Sequence, residues 1–347
     1  MPCSRLVRFG AIGLLVAGAC GAGALLGRAG VPAAGLFGGM LVGVAVALAP
    51  GVRVALPARL YTVVQALLGA AIAGLARMGI GGSVPVLAAL PLVLVATILL
   101  SVAAGRVLSR RRAMGRATAL LGMVAGGSAG MVAVADEVGA DARAVAVMQY
   151  VRVAIVAATV PLVVAVMQAR GHHAAADVPS ARDSGSAVAM LLAVALAGAW
   201  LGARVRLPAS ALAGPLILGT VLAWTGVLPD APVPGVLPAV ALTVIGLEIG
   251  LRFDRGAVRA TRRLLPATCA LTAALMAGCA GIGALLSAFT GVAPVDAYLM
   301  TTPGGINAVL GVAVGLKGVD LALVTVAQTL RLVAMVVVAP RLIQRLA

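Results

Sequence analysis

Residues 126–152 read GGSAGMVAVADEVGADARAVAVMQYVR, and the same pattern returns in residues 304–331, which read GGINAVLGVAVGLKGVDLALVTVAQTLR. In each stretch a Gly-Gly pair is followed by an Asp that lies eleven residues before an Arg, and a Gln lies three residues before that Arg. An arginine inside apolar helical sequence is unfavourable enough to be treated first as a functional residue. Its recurrence at matching positions indicates that the two halves of the chain share one design.

The composition places this pattern in a membrane protein. The chain has 347 residues, of which 62% are hydrophobic and 10% are charged, whereas soluble domains carry about 25% charged residues. Apolar runs of roughly twenty residues, the length of a transmembrane helix, recur from end to end. The first run, from about Phe9, lacks a convincing cleavage site, so we interpret it as a retained helix rather than a signal peptide.

The charge balance fits the same class. The chain carries 26 Lys and Arg against 10 Asp and Glu, a formal net charge of +16. In a soluble protein this balance would suggest nucleic-acid binding. Here the arginines lie in short loops between apolar runs, and only 3% of the residues are aromatic. We therefore expect the lipid bilayer, and no nucleic acid, as a partner.

Hydropathy windows predict an all-α polytopic protein with two repeats. The full spans are predicted at 9–27, 31–49, 57–76, 84–108, 143–167, 187–203, 208–226, 235–251, 264–289 and 319–340. Gly-interrupted segments occupy 115–136 and 294–315. A polar linker, residues 168–186, separates repeat 1, residues 1–167, from repeat 2, residues 187–347. An offset of about 176 to 179 residues superposes the halves, as in many secondary transporters.

The distribution of Lys and Arg predicts the orientation. If every segment crosses the membrane, 13 of the 24 Lys and Arg residues other than Arg152 and Arg331 lie inside and 11 outside. If both interrupted segments enter and leave on one side, 19 lie inside and only five outside. The second arrangement obeys the positive-inside rule. It gives five crossings per half and hence inverted repeats, with both termini cytoplasmic and the linker outside.

The acids of the repeated pattern are predicted to start helices. Asp141 and Asp320 each follow a Gly-X pair and precede apolar sequence, the position of an N-cap or first-turn acid. Eleven residues at about 1.5 Å each place the following Arg roughly 16 Å along the helix. Because the hydrocarbon core is about 30 Å thick, Arg152 and Arg331 are expected near its middle.

Gln149 and Gln328 lie one helical turn before these arginines, on the same helix face. Three roles are open for each arginine. It could anchor an interrupted segment by bonding its free carbonyls, offer a fixed positive charge to an anionic solute, or extend towards the membrane surface.

The interrupted segments supply the other candidate binding residues. Glycine pairs let backbone approach a ligand closely, helix starts bind anions, and unwound carbonyls bind cations. The predicted substrate site comprises Gly126, Gly127, Ser128, Gln149, Arg152, Thr302, Pro303, Gly304, Gly305, Asn307, Gln328 and Arg331. The alternative is that the small residues serve only helix packing, as in membrane helices generally.

Two further acids are candidates for coupling to an ion. Asp136 ends the first interrupted segment and either titrates in a proton-coupled cycle or lies at the membrane surface. Glu248 lies in apolar sequence four residues before Arg252. It is either a coupling carboxylate or the partner of that arginine in a helical ion pair.

At these positions the sequence resembles the bacterial AbrB-type membrane proteins with a duplicated domain, often labelled "putative ammonia monooxygenase". The resemblance spans nearly the whole chain. It is carried by Gly126, Gly127, Met131, Gly139, Asp141, Met148, Gln149, Tyr150, Arg152, Thr302, Pro303, Gly304, Gly305, Gln328 and Arg331. It implies an inner-membrane protein, linked in some bacteria to regulation of gene expression.

Three functions therefore compete. A secondary transporter of a small anionic solute, with a coupling ion left open, is favoured by the repeats and the polar residues near mid-membrane. A membrane-embedded regulator acting indirectly on gene expression is the alternative. An oxidoreductase would need a metal-ligand cluster, but the only histidines, His172 and His173, lie in the linker. We expect no enzymatic activity and no cofactor, and leave homo-oligomerisation open.

Overall fold

Every regular element described in the computed structural model is a helix. The structure describes residues 3–29, 31, 33–50, 54–75, 84–112, 114–124, 131–132, 135, 138–170, 185–205, 207, 210–225, 236–304, 309–310, 313 and 319–346. The helices are α1 (Cys3–Arg28), α2 (Ala34–Leu48), α3 (Ala58–Leu75), α4 (Val84–Arg112), α5 (Arg116–Met123), α6 (Ala142–Arg170), α7 (Gly185–Arg204), α8 (Ser210–Trp224), α9 (Val236–Leu251), α10 (Arg255–Thr261), α11 (Leu265–Thr290), α12 (Pro294–Thr301) and α13 (Leu321–Leu346).

These helices lie where the apolar runs predict them, and their order recurs along the chain. α2 and α8 both have 15 residues and begin 176 residues apart. α5 and α12 both have 8 residues and begin 178 residues apart. One helix was not predicted: α10 is only 7 residues long and carries Arg255 and Arg259, so no apolar run marks it.

Helix length and composition give the chain a membrane character. Four stretches are long and apolar enough to cross a bilayer: Ala11–Arg28, Val84–Arg110, Ala142–Met167 and Leu265–Thr290. Six more apolar helical stretches are 10–17 residues long. The prediction of an all-helical membrane protein is thus confirmed for the described residues, whereas the ten crossings and the inverted arrangement stay predictions.

The chain forms two compact units, and each takes segments from both halves of the sequence. Unit 1 comprises Met1–Met78, His173–Arg252 and Val314–Ala322. Unit 2 comprises Gly79–His172, Phe253–Ala313 and Leu323–Ala347. The division into repeats at 1–167 and 187–347 concerns the duplication of the sequence and stays a prediction.

Unit 1 is built on close helix crossings between the two halves. α2 packs along α9, and α3 packs along α8. Where α2 crosses α9, a Cβ atom added to Gly39 would collide with the carbonyl oxygen of Thr243. Where α3 crosses α8, a Cβ atom added to Gly69 would collide with the carbonyl oxygen of Leu212. Backbones approach this closely only where the side chain is a hydrogen, the usual solution in membrane helices.

Unit 2 holds the two eight-residue helices, α5 and α12, and both end at buried residues. α5 ends before Val124, whose backbone is extended at φ −69° and ψ 123° and whose side chain is buried. α12 ends before Thr302, which is extended at φ −56° and ψ 128°. Thr302 precedes Pro303, and the proline ring disfavours helical geometry in the residue before it. Both predicted interruptions therefore begin in the interior of this unit.

Candidate functional site

The ends of α5 and α12 create a hydrogen-bonding problem. The last four carbonyls of any helix lack partners within the helix, and membrane interiors supply no water to satisfy them. The last residues of α5, up to Met123, and of α12, up to Thr301, are all buried. Side chains from elsewhere in unit 2 must therefore supply donors to these carbonyls.

In the first half the donors come from α6. Gln149 Nε2 donates to the carbonyls of Leu121, at 2.5 Å, and Val124, at 3.0 Å. Arg152 donates through one terminal nitrogen to Val124 O at 2.9 Å and, more weakly, to Met123 O at 3.4 Å. Its other terminal nitrogen donates to Gln149 Oε1 at 2.6 Å. Gln149 thus both caps α5 and orients the guanidinium.

The second half repeats this arrangement with α13 as the donor helix. Gln328 Nε2 donates to Leu299 O at 2.5 Å and to Thr302 O at 3.4 Å. Arg331 donates to Thr302 O through one terminal nitrogen. Its other terminal nitrogen reaches Gly304 O at 2.7 Å and Gln328 Oε1 at 2.5 Å. The acceptors Leu121 and Leu299 lie 178 residues apart, like the two short helices.

Both arginines are therefore interior residues. Arg152 is 2% exposed and Arg331 is 5% exposed, and the two guanidinium groups repel each other electrostatically. Within the described part of the chain neither has a carboxylate partner. The extension towards the surface that the sequence left open is excluded by this burial, and the carbonyl-anchoring geometry is observed for both.

Arg152 and α13 also carry buried polar atoms that lack partners among the described residues. They are Arg152 Nε, Thr325 Oγ1 and Thr329 Oγ1, and Thr272 Oγ1 of α11 joins them. Buried polar atoms are nearly always hydrogen-bonded. In unit 2, these four atoms can therefore still form hydrogen bonds with a ligand or a water molecule.

A small cavity borders Arg331. It has a volume of about 10 Å³ and is lined by residues of α4, α12 and α13: Leu90, Val93, Leu94, Thr97, Met300, Ala327, Leu330 and Arg331. A space of this size holds about one water molecule.

The remaining predicted binding residues divide into two sets. Thr302 and Gly304 offer their carbonyls to Arg331, and Pro303 is buried between them. Gly126, Gly127, Ser128, Gly305 and Asn307 lie outside the described residues, as does the candidate coupling acid Asp136. A direct contact of either set with a solute stays a prediction.

The predicted acidic helix starts are found at both positions. Asp141 Oδ1 accepts hydrogen bonds from the backbone N–H groups of Arg143, at 2.9 Å, and Ala144, at 3.1 Å, which makes it the N-cap of α6. Asp320 directly precedes α13. The backbone N–H of Asp141 donates to Thr118 Oγ1 at 3.0 Å. Thr118 thereby ties α5 to the start of α6, a role that a threonine within an apolar run does not signal.

Glu248 lies in unit 1, on α9. Its Oε1 accepts a hydrogen bond from Arg252 Nε at 3.2 Å, and the guanidinium carbon of Arg252 lies 5.7 Å from the centre of the Tyr61 ring. The predicted helical ion pair is therefore present. A coupling role for this carboxylate stays a prediction.

No metal-ligand cluster is found in the part of the chain that the structure describes: no three His, Cys, Asp or Glu side chains gather there. His172 and His173 lie outside the described residues.

Comparisons with known proteins complete the description. Residues 35–347 match the family described as "Transition state regulatory protein AbrB". The chain is 34% identical over 285 residues to the "Putative regulator AbrB" of Escherichia coli (strain K12), and the match covers 78% of each chain. No solved structure matches the chain. Both descriptions speak of regulation, and neither mentions a ligand.

Proposed function

We propose that this chain, which belongs to the AbrB family, is a secondary transporter of a small anionic solute in the bacterial inner membrane. Membership confirms the resemblance carried by the motif residues. The observation behind the proposal is the pair of interrupted helices, α5 and α12, whose buried carbonyl ends are held by Gln–Arg pairs. Discontinuous helices at membrane depth form the solute and ion sites of many secondary transporters.

The charge of the site favours an anion. Two buried guanidinium groups repel each other, and neither has a carboxylate partner among the described residues. An anion beside them would relieve this repulsion and could accept from Arg152 Nε, which has no partner there. Arginine presents a planar fork that matches carboxylate and phosphate groups.

The small cavity beside Arg331 has room for about one water molecule. Entry of a larger solute at this point would require α12 or α13 to move away from α4. In alternating access, one group of helices rocks against another around a fixed site. The solute crosses chemically unchanged, so under this proposal the chain is not an enzyme.

The arginine distribution supports inverted repeats within this proposal, with both termini cytoplasmic and linker residues 168–186 outside. Thiol labelling of a Ser180→Cys variant in intact cells, with the four native cysteines replaced, tests this topology. Labelling by a membrane-impermeant reagent is expected. Labelling only after the cells are permeabilised would place the linker inside and exclude inverted halves.

The transport test does not require a known solute. Inside-out and right-side-out membrane vesicles containing the full chain are energised, incubated with cell extract and analysed for accumulated anions by mass spectrometry. Vesicles with Arg152→Lys serve as the matched control, because lysine keeps the charge but loses the planar fork. We expect one or a few anions to accumulate only with the unaltered chain. Identical accumulated anions in vesicles with the unaltered chain and in vesicles with the variant would refute transport.

A membrane-embedded regulator is the second candidate, favoured by the names of the family and of the relative. The transporter proposal accommodates an indirect effect, because movement of a signalling solute changes transcription. Transcript profiles of a deletion strain complemented with either chain separate the two. Equal rescue by the unaltered chain and by a transport-dead Arg152→Lys variant would show that regulation does not need transport.

A further inference from the structure

We infer that a cleft at the end of α4 is a binding site for an anion that carries a phosphate group. The cleft has a volume of about 250 Å³ and lies within unit 2. Its lining comes from the last turns of α4 and the first turns of α5: Arg106, Ser109, Arg110, Arg116 and Leu120. The site is separate from the Gln–Arg pairs and does not rest on the proposed transport function.

The cleft concentrates uncompensated positive charge. Arg106, Arg110 and Arg116 are all exposed, and none forms an ion pair with a carboxylate in the described part of the chain. Three guanidinium groups around one concave space repel each other unless an anion lies between them. Each can offer a pair of N–H donors to phosphate oxygens.

The start of α5 adds to this charge. Gly115 precedes the helix and provides no side-chain cap, so no side chain at the N-cap position accepts a hydrogen bond from the first N–H groups of α5. A helix start carries a partial positive charge and favours a neighbouring anion. By contrast, the start of α6 is capped by the carboxylate of Asp141.

The matching corner in the second half has no arginine, although the start of α12, like that of α5, has no side-chain cap. α11 ends at Thr290, and α12 begins at Pro294 with an acid, Asp296, in its first turn. No arginine lies between 264 and 330. Because both halves share the interrupted-helix arrangement, the architecture alone does not demand the arginine cleft. It is a property of the first half only.

The position of the cleft favours a phosphate group. Val84–Arg110 is long and apolar enough to span a bilayer, so Arg106 and Arg110 lie at the end of a span, at the depth of lipid headgroups. Basic pockets between helices at this depth bind anionic headgroups. A soluble phosphate compound would present the same group, so the experiment has one arm for each source.

The test uses the full chain, purified in detergent and stripped of lipid. In one arm, native mass spectrometry measures binding of phosphatidylglycerol and cardiolipin against phosphatidylcholine. In the other, the thermal midpoint is measured in inorganic phosphate and in chloride of equal ionic strength. The test variant is Arg106→Gln/Arg110→Gln. The matched control is Arg262→Gln, which removes an exposed arginine of the same unit outside the cleft.

A binding site predicts loss of affinity specific to the cleft. The double variant should bind about 100-fold more weakly, roughly tenfold for each charged hydrogen-bonding partner removed, while the control binds like the unaltered chain. Binding of anionic lipid without a response to inorganic phosphate identifies a headgroup as the ligand, and the reverse identifies a soluble phosphate. If the double variant does not fold, Arg106→Lys/Arg110→Lys replaces it, with a smaller loss expected. The proposal is overturned if neither probe binds, or if cleft and control variants bind alike.

Discussion

The two Gln–Arg pairs share one set of contacts and differ in another. In both, Gln Nε2 reaches a carbonyl of the short helix at 2.5 Å, and the arginine donates to the same glutamine at 2.5 to 2.6 Å. In the second pair Arg331 also donates to Gly304 O at 2.7 Å. In the first, Arg152 Nε has no partner among the described residues.

This difference separates the contacts that stabilise the helix ends from the groups that are candidates for binding a solute. The shared contacts hold the ends of α5 and α12, a requirement that follows from placing helix ends in a membrane. Among the described residues, the guanidinium of Arg331 has more hydrogen-bond acceptors than that of Arg152. Spare donor capacity lies on Arg152, so we expect Arg152 to contribute more to solute binding and Arg331 more to stability.

The largest expected effect comes from removing the arginines one at a time. Arg331→Met should lower the free energy of unfolding by about 4 kcal/mol, because it leaves the buried carbonyl of Gly304 without its donor and removes the arginine donor from that of Thr302. Arg152→Met should lower it by about 3 kcal/mol. Relief of the repulsion between the two guanidinium groups offsets part of both losses.

Denaturant titration of the purified proteins in mixed micelles measures both changes. Leu330→Met is the control, since Leu330 is 46% exposed beside Arg331 and its replacement should change stability by less than about 0.5 kcal/mol. A larger loss for Arg152→Met than for Arg331→Met would reverse our assignment of the two roles.

The glutamines should behave alike where the arginines differ. Gln149→Leu and Gln328→Leu each remove a bond of 2.5 Å to a leucine carbonyl and the acceptor of one arginine nitrogen. Each should lower the free energy of unfolding by about 2 kcal/mol. In the same titration, stability changes of Gln149→Leu and Gln328→Leu that differ by more than about 1 kcal/mol would contradict the shared scaffold.

Sequence reasoning located the helices and the polar pairs, because both leave local signals. Apolar runs bounded by glycine and proline give the spans, and the spacing of Gln149 and Arg152 places them on one helix face. The acceptors were not predictable, since the carbonyls of Leu121 and Leu299 belong to the backbone and leave no mark in residue type. The crossings of α2 with α9 and α3 with α8 were also missed, because small residues permit a close approach without naming the partner.

The helix starts offer a smaller test of the comparison. Asp141→Ala removes the acceptor for two backbone N–H groups of α6 and should lower the free energy of unfolding by about 1 kcal/mol. Asp141→Asn keeps an acceptor oxygen and should be nearly neutral. Asp320→Ala is expected to match Asp141→Ala, because both acids directly precede their helices. If Asp141→Ala lowers the free energy of unfolding and Asp320→Ala does not, the two halves are equivalent at the Gln–Arg pairs but not at the helix starts.

The smallest expected effect comes from exchanging the residues that follow the short helices. Thr302 Oγ1 donates to Tyr298 O at 2.6 Å, and its counterpart Val124 cannot. The backbones agree, since the N–H of each residue reaches the carbonyl four residues earlier at 2.9 Å. Thr302→Val should therefore lower the free energy of unfolding by about 0.5 to 1 kcal/mol.

The reverse change tests whether the two positions are interchangeable. Val124→Thr places a hydroxyl within reach of Leu120 O, the acceptor that corresponds to Tyr298 O. If the two helix ends are equivalent, the stability change of Val124→Thr should offset that of Thr302→Val, and the double variant should unfold within about 0.5 kcal/mol of the unaltered chain. A double variant that loses more than either single one would show that the hydroxyl is needed specifically beside Arg331. The valine end beside Arg152 would then be a distinct local environment rather than a second copy of the same anchor.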